Sequence, residues 1–210
     1  MRIIFISLFL LISFNVSAQN DEERWVDSVF NSLTLEQRVG QLFNLRANDP
    51  NKDFNTYIDD YIERYNIGGV TFFRTDAEKL LTKANEWQAK SQTPMMIAID
   101  GEWGIGMRIN DGISYPYQMT LGAVTNDSLI AEMGRQIAEQ CTRIGINVNF
   151  APTVDVNNEP NNPVIGFRSF GENADNVARK GLAYAMALQD NGVLPSMKHF
   201  PGHGNTMTDS

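Results

Sequence analysis

Short apolar runs alternate with longer amphipathic stretches along most of the chain. The apolar runs contain many β-branched residues and end in polar residues or glycine, as buried strands do. They occupy 39–45, 67–73, 95–99, 147–152 (with Val154 and Val156 beyond it) and 194–200. The amphipathic stretches have apolar residues at helical spacing, and they occupy 54–65, 77–90, 128–144 and 174–190. This alternation predicts a parallel sheet whose crossover helices cover its faces.

Two further helices are predicted ahead of the first strand, within residues 21–40. Apolar residues from Trp25 to Leu33 recur there at three- and four-residue spacing. Thr34 can cap the second of these helices, and Gln37, three positions later, can complete a capping box. No low-complexity segment or sharp change of composition indicates a second domain.

Two architectures fit the alternation, an open doubly wound sheet and a closed (β/α)8 barrel. A nucleotide-binding open sheet has a glycine fingerprint after its first strand, whereas residues 46–50 contain no glycine. Several different strands instead end in polar residues, namely Arg74, Asp100, Asp155, Lys198 and His199. A barrel builds its active site from loops at that face, so the pattern favours an α/β, TIM-barrel-like fold.

Chain length limits how much of a barrel can form. A complete barrel takes about 250 residues, and the sequence supplies about five strand–helix units before a polar stretch at 204–210. We therefore expect an incomplete barrel that belongs to a longer protein, because an unclosed parallel sheet leaves a hydrogen-bonding edge uncovered.

Composition narrows the class of protein. The 210 residues are 42% hydrophobic and 20% charged, as in ordinary globular domains. Asp and Glu number 25 against 17 Lys and Arg, which gives a net charge of -8 and disfavours nucleic acid as a partner. The single cysteine, Cys141, excludes an internal disulfide framework and is predicted to be a buried residue in a helix.

The first 18 residues have the pattern of a secretory signal peptide: one positive charge, an apolar run and small residues at Ser17 and Ala18. The apolar run is shorter than the roughly 20 residues that span a bilayer. We expect cleavage to leave residues 19–210 exported to the periplasm or cell exterior with no transmembrane anchor. A buried strand or an uncleaved anchor is the alternative.

The densest chemical motif is Lys-His-Phe-Pro-Gly-His-Gly at 198–204, which contains both histidines of the chain. Lys198 and His199 can donate hydrogen bonds to hydroxyl groups, and the proline and glycines favour a turn that exposes them. A solvated basic turn is the alternative interpretation.

Two further clusters follow predicted strands. In 97–104, Asp100 can accept hydrogen bonds from sugar hydroxyls, and Trp103 has an apolar face suited to a pyranose ring. In 163–171, Arg168 would present a fixed fork of donors. The alternatives are a strand cap for Asp100, an ordinary core position for Trp103 and an ion pair with Asp155 for Arg168.

In order and spacing, these segments resemble glycoside hydrolase family 3, in its β-N-acetylglucosaminidase branch. The similarity runs from about Leu35 to the end of the chain, and its most specific part is 198–204. The resemblance implies a (β/α)8-type barrel that cleaves terminal β-linked N-acetylglucosamine from cell-wall or glycan-derived saccharides with retention of configuration. It implies no metal and no other cofactor.

The resemblance also implies roles for particular residues. Hydroxyls of the non-reducing sugar would be bound by Asp100, Arg108, Arg168, Lys198 and His199. The usual Asp-Gln-Glu-Gly-Gly-Arg of the family is replaced at 100–105 by Asp-Gly-Glu-Trp-Gly-Ile, so its first arginine is missing. Asp209 would be the aspartate of an Asp-x-His acid–base pair, whose histidine and the aspartate nucleophile would lie beyond residue 210. Residues 1–210 alone are therefore expected to be inactive.

Three other functions remain open at this point. A β-glucosidase or β-xylosidase of the same family is the nearest. A non-catalytic protein that binds sugars is a second, and a nucleotide-binding oxidoreductase, disfavoured by the missing glycine fingerprint, is a third. The sequence does not predict an oligomeric state.

Overall fold

The computed structural model describes residues 20–47 and 54–209. In these ranges five parallel strands form one sheet in chain order. The strands are β1 (Asn44–Ala47), β2 (Gly69–Phe72), β3 (Met96–Ile99), β4 (Val148–Asn149) and β5 (Leu194–Pro195). The helices are α1 (Asp21–Ser32), α2 (Leu35–Gly40), α3 (Phe54–Tyr65), α4 (Ala77–Lys90), α5 (Gln118–Gly122), α6 (Ser128–Arg143) and α7 (Ala174–Asp190). Short 3-10 turns occupy Ile105–Met107 and Gly166–Arg168.

The strand order distinguishes the two architectures. In a doubly wound sheet the order reverses at a switch point, so the first strand lies inside the sheet. In the described part of this chain each strand pairs with the next one, from β1 at one edge to β5 at the other. That sequential winding is the winding of a barrel. The fold class is therefore α/β with a partial TIM-barrel-like sheet, as predicted.

The core lies between the sheet and its covering helices. All four residues of β2 are buried, as expected for a parallel strand covered on both faces. Phe72 at its end stacks on Trp87 of α4, with ring centroids 5.7 Å apart. Helices α6 and α7 pack closely, since a Cβ added at Gly134 would lie 2.8 Å from the Ala187 Cβ. These contacts pack α4 against the sheet and α6 against α7.

Cys141 is buried in α6, as predicted. Burial raises the pKa of its thiol to about 12, so the group stays protonated at neutral pH. It therefore packs as a small apolar residue rather than reacting as a thiolate.

The predicted start of the first strand at residue 39 is wrong. The capping box does form: Thr34 Oγ1 accepts from the Gln37 nitrogen at 3.2 Å, and Gln37 Oε1 accepts from the Thr34 nitrogen at 3.0 Å. It starts α2, which runs to Gly40. The backbone nitrogen of Phe43 still donates to Gly40 at 3.0 Å, so the chain keeps turning until β1 begins at Asn44.

The last two strands are shorter than the apolar runs 147–152 and 194–200 that predicted them. The Ser196 nitrogen still donates to the Asn149 carbonyl at 2.9 Å, but the Ala151 nitrogen turns back to the Asn149 carbonyl of its own segment at 2.8 Å, so the regular ladder ends there. The two segments nevertheless continue side by side, because the Val154 nitrogen donates to the Lys198 carbonyl at 2.7 Å. This contact places the 198–204 loop beside the segment that follows β4.

The predicted signal peptide, residues 1–18, lies outside the described residues. Within 20–47 and 54–209 no helix has the length and apolar character needed to cross a membrane.

Candidate functional site

The structure brings the five predicted sugar-binding residues together beyond the carboxyl ends of β3, β4 and β5. Asp100 directly follows β3, and Lys198 and His199 follow β5. Arg108 and Arg168 come from the two 3-10 turns or directly after them. Parallel strands end at the same face of the sheet, which explains why residues so distant in the chain meet. Arg74, after β2, is exposed at the same face.

Asp100 lies between two cations. Its carboxylate accepts hydrogen bonds from Lys198 Nζ through one oxygen and from Arg108 Nη2 through the other. Burial would raise the pKa of this carboxyl, but the charge on Lys198 and the hydrogen bonds from Lys198 and Arg108 outweigh burial and lower it. Asp100 is therefore an ionised acceptor at neutral pH, and its side chain keeps 18% of its surface exposed.

Glu102 forms ion pairs with Arg168 and Lys198 and so positions both side chains, a role that was not predicted from the sequence. Its fully buried carboxylate accepts from Arg168 Nε at 2.9 Å and Nη2 at 2.6 Å, and it lies 2.7 Å from Lys198 Nζ. Burial would raise its pKa, but the Arg168 hydrogen bond and the Lys198 charge lower it below its usual value. The hydrogen bond to Glu102 in turn raises the pKa of Arg168. The partner of Arg168 is thus Glu102, not the Asp155 considered from the sequence.

Asp155 holds the histidine end of the site. Its buried carboxylate lies 2.6 Å from His199 Nδ1 and accepts from the His199 and His203 backbone nitrogens at 3.2 and 2.6 Å. On the other side of the imidazole ring, Nε2 lies 3.4 Å from Arg168 Nη2. The ring is therefore fixed between a carboxylate and a guanidinium, with 35% of its side-chain surface exposed.

The loop 198–204 is packed tightly against the segment after β4. A Cβ added at Gly204 would lie 1.7 Å from the Val156 carbonyl oxygen, so only glycine permits this approach. The Gly204 carbonyl accepts from the Glu159 nitrogen at 3.1 Å, and the His203 carbonyl accepts from Asn162 Nδ2 at 2.7 Å. The peptide bonds Lys198–His199 and Phe200–Pro201 are cis.

Asp209 lies near His203, the second histidine of the chain. Its side chain is 76% exposed, and its Oδ1 lies 3.9 Å from Nε2 of His203. The ring of His203 is 5.9 Å from the ring of His199, measured between centroids. Asp209 is thus on the histidine side of the site, and its role in acid–base chemistry stays a prediction.

Trp103, for which the sequence suggested either a face for a pyranose ring or a core position, packs against a second aromatic ring. Its partly buried ring lies edge-on against Tyr117, at 4.8 Å between centroids, and Tyr117 contacts Phe167 at 4.5 Å. Sequence reasoning did not single out Tyr117 or Phe167. No periodicity marks them, because Tyr117 directly precedes the short helix α5 and Phe167 lies in a three-residue 3-10 turn.

Taken together, these side chains form a small site with formal charges in balance: three carboxylates and three cations. Carboxylates fixed opposite a lysine and two arginines offer acceptors and donors side by side, which suits a neutral ligand with several hydroxyl groups. Within the described residues no group of three or more His, Cys, Asp or Glu side chains is placed to hold a metal. Fold and site define an α/β, barrel-type domain with a compact cluster of hydrogen-bond donors and acceptors at the strand ends.

Comparison with known proteins gives the family. Residues 34–210 match the family described as "Glycosyl hydrolase family 3 N terminal domain". The chain belongs to glycosyl hydrolase family 3, as the sequence motifs indicated.

Individual relatives agree with this assignment. The chain is 43% identical over 166 residues to beta-hexosaminidase A of Pseudoalteromonas piscicida, covering 73% of this chain and 28% of that protein. Among solved structures, it is similar to a family 3 β-N-acetylglucosaminidase from Paenibacillus sp. (TM-score 0.77, 37% identity, 85% of this chain and 35% of that one). It is also similar to the beta-glucoside phosphorylase BglX (TM-score 0.81, 26% identity, 89% of this chain and 33% of that one). The chain thus spans about a third of the length of these proteins.

Proposed function

We propose that the protein carrying this chain hydrolyses terminal, non-reducing β-linked N-acetylglucosamine, or another N-acetylhexosamine, from cell-wall or glycan-derived saccharides. The reaction would proceed with retention of configuration. The observation that carries the proposal is the Asp100 carboxylate, ionised and partly exposed between Lys198 and Arg108. The names of the hexosaminidase and glucosaminidase relatives support the choice of sugar.

The hydrogen bonds within the site support this way of binding a sugar. Each oxygen of Asp100 accepts one hydrogen bond from the protein, and a carboxylate oxygen has room for about two. Asp100 can therefore accept from two neighbouring hydroxyls. An ammonium carries three N–H donors. Lys198 directs one toward Asp100 and one toward Glu102, so the third can donate to the ligand.

Arg168 and His199 would complete the contacts. Arg168 donates to both Glu102 oxygens and to the Val164 carbonyl at 3.0 Å, which fixes its plane and leaves an Nη1 hydrogen free. The exposed part of the His199 ring borders the same space. Glu102 is fully buried, so we assign it to positioning Arg168 and Lys198 rather than to contact with the sugar.

Bond cleavage would need groups beyond this set. A retaining mechanism uses a nucleophile on one side of the anomeric carbon and an acid on the other. We assign Asp209 to the acid–base pair. Its histidine and the nucleophile would lie in a region that corresponds to the rest of the relatives' sequence. The proposed activity therefore belongs to a protein about as long as the relatives. Residues 19–210 would contribute the part of the barrel that binds the sugar.

The site of action is also a proposal. The pattern of residues 1–18 supports export to the periplasm or cell exterior after removal of a signal peptide. Saccharides derived from the cell wall or from other glycans are substrates available there. N-terminal sequencing of the secreted protein should give Gln19 as the first residue.

The activity is tested by comparing aryl glycosides on the protein that carries this chain. We expect para-nitrophenyl β-N-acetylglucosaminide to be cleaved with a higher kcat/KM than the corresponding β-glucoside. A preference for the glucoside would support the β-glucosidase alternative. The likeness to BglX, whose name is that of a beta-glucoside phosphorylase, supports the sugar of that alternative but not the hydrolysis. Calorimetric binding of N-acetylglucosamine without turnover of any glycoside would identify a non-catalytic sugar-binding protein.

A further inference from the structure

Three aromatic rings form a continuous cluster at the edge of the candidate site. Trp103 meets Tyr117 edge-on at 4.8 Å, and Tyr117 meets Phe167 at 4.5 Å with the planes tilted by 49°. Tyr117 is 45% exposed and Phe167 is 55% exposed, whereas Trp103 is partly buried. Two of the three rings are therefore open to solvent, and the third, Trp103, packs against Tyr117.

The cluster is joined to the charged site through the backbone. Trp103 directly follows Glu102, and Phe167 directly precedes Arg168. The two hydrogen bonds between Glu102 and Arg168, at 2.9 and 2.6 Å, hold these segments together. The aromatic rings and the sugar-binding cations are thus positioned by the same ion pair.

Tyr117 is fixed by a separate set of contacts. The next residue, Gln118, is buried, and its Nε2 donates to the carbonyls of Thr153 and Arg168, both at 2.7 Å. Its Oε1 accepts from the Thr153 nitrogen at 3.2 Å. A segment anchored in this way loses less conformational entropy when a ligand binds it, so the backbone that carries Tyr117 is pre-organised for binding.

The exposure of these rings favours a binding role over a packing role. The exposed surface of an aromatic ring contributes nothing to the stability of the fold through burial. Exposed apolar clusters beside polar sites are typical of surfaces that bind a ligand or a partner. One face of a pyranose ring presents C–H groups, which suit the negative face of an aromatic ring. The hydroxyl-binding groups are already assigned to the terminal sugar, so the adjoining aromatic surface suits the next sugar along the chain.

We propose that Tyr117 and Phe167, backed by Trp103, form a platform for the sugar residue on the reducing side of the cleaved bond. The inference rests on the proposed hydrolase function and extends it to the leaving group. It predicts a preference for saccharide leaving groups over small ones. The platform also gives Trp103 a supporting role in place of the direct sugar contact expected from the sequence.

The test compares two substrates on the protein that carries this chain. N,N′-Diacetylchitobiose offers a second sugar ring, whereas methyl β-N-acetylglucosaminide offers only a methyl group. We expect Phe167→Ala and Tyr117→Ala each to lower kcat/KM for the disaccharide by about tenfold, the scale of losing one well-covered side chain. Values for the methyl glycoside should stay close to wild type.

Matched variants separate the ring face from general packing. Phe167→Tyr should retain the wild-type kcat/KM for the disaccharide. Phe167→Leu keeps a large apolar side chain without a flat ring, so its kcat/KM for the disaccharide should fall almost as far as that of Phe167→Ala. Trp25 is an exposed aromatic residue on α1, and Trp25→Ala should leave kcat/KM unchanged for both substrates. Equal losses on both substrates, or no loss on either, would overturn the platform. If the wild type cleaved neither substrate, the proposed function itself would fall, and the platform with it.

Discussion

Asp155 fixes His199 by two contacts at once: its Oδ2 lies 2.6 Å from the ring Nδ1 and 3.2 Å from the backbone nitrogen of the same residue. The other oxygen accepts from the His203 nitrogen at 2.6 Å. A buried carboxylate on Nδ1 sets the orientation of an imidazole and directs Nε2 outward. Here it directs Nε2 toward Arg168 and the space assigned to the sugar.

Replacing Asp155 by Asn tests this positioning role. The side chain keeps its shape, but an amide nitrogen replaces one acceptor oxygen and the charge is lost. We expect kcat/KM to fall at least about tenfold, since hydrogen bonds to charged groups are worth about 1.5–3 kcal/mol. The nitrogen chemical shifts of the His199 ring should change as well, which a loss of general stability would not cause. Asp60→Asn, in an exposed pair with Arg64, is the control, and unchanged ring shifts in Asp155→Asn would contradict the role.

A second prediction concerns the buried carboxylate of Glu102. In Glu102→Gln, Arg168 and Lys198 lose the charge that compensates them in a buried setting. Removing one partner of a buried ion pair costs about 3–5 kcal/mol, so the midpoint of urea unfolding should fall clearly. Sugar affinity should fall too, because both cations lose their anchor.

The control for Glu102 is a carboxylate with similar hydrogen bonds on the surface. Glu132 pairs with Arg135 at 2.7 Å on α6, with both side chains 46% exposed. Glu132→Gln should leave the unfolding midpoint almost unchanged, because exposed pairs contribute little. Similar shifts in the two variants would mean that burial of Glu102 has no energetic consequence.

The helices were the part of the fold most fully predictable from the sequence. The periodic stretches 54–65, 77–90 and 174–190 coincide with α3, α4 and α7. Each of these helices buries one face, so apolar residues recur in its sequence with a period of about 3.6 residues. The start of β1 was missed, since Val39 and Leu42 look like strand residues but lie in or after a helix fixed by the Thr34 cap. Local hydrogen bonds decided that boundary, and apolar content did not.

The site was predictable only where a residue ends a strand or belongs to a recognisable motif. Asp100 and Lys198 meet across 98 positions in the chain, and strand order explains why. The partner of Arg168 could not be predicted, since Glu102 and Asp155 are both carboxylates near strand ends. Only the tertiary structure shows that one binds the guanidinium and the other the imidazole.

A third prediction concerns acid. The folded-state pKa values of Asp100 and Glu102 are both lowered, while an unfolded carboxyl titrates at about 4. The unfolded state therefore binds more protons in this range, so the free energy of unfolding rises with pH there. The stabilisation is fully present above about pH 4 and is lost as the pH falls through the folded-state pKa values.

This acid dependence is measured by urea unfolding between neutral pH and about pH 3. Stability of the wild type should decline below about pH 4. Asp100→Asn, which cannot titrate, should be less stable at neutral pH and should show a shallower decline. An equally steep decline in the variant would show that Asp100 does not contribute to it.

The final prediction concerns the close contact at Gly204. In Gly204→Ala, the added Cβ would lie 1.7 Å from the Val156 carbonyl oxygen, so the 198–204 loop must move away from the segment that carries Asp155. His199 and Lys198 would move with it, and we expect both the unfolding midpoint and sugar affinity to fall. Gly202→Ala in the same loop is the matched control. Nothing lies within 4 Å of its added Cβ, so it bears only the cost of placing a side chain at a φ of 142°, about 1–3 kcal/mol. If both variants lost sugar affinity equally, any disturbance of the loop would explain the loss, and the close contact with Val156 would not be what positions the loop for the sugar.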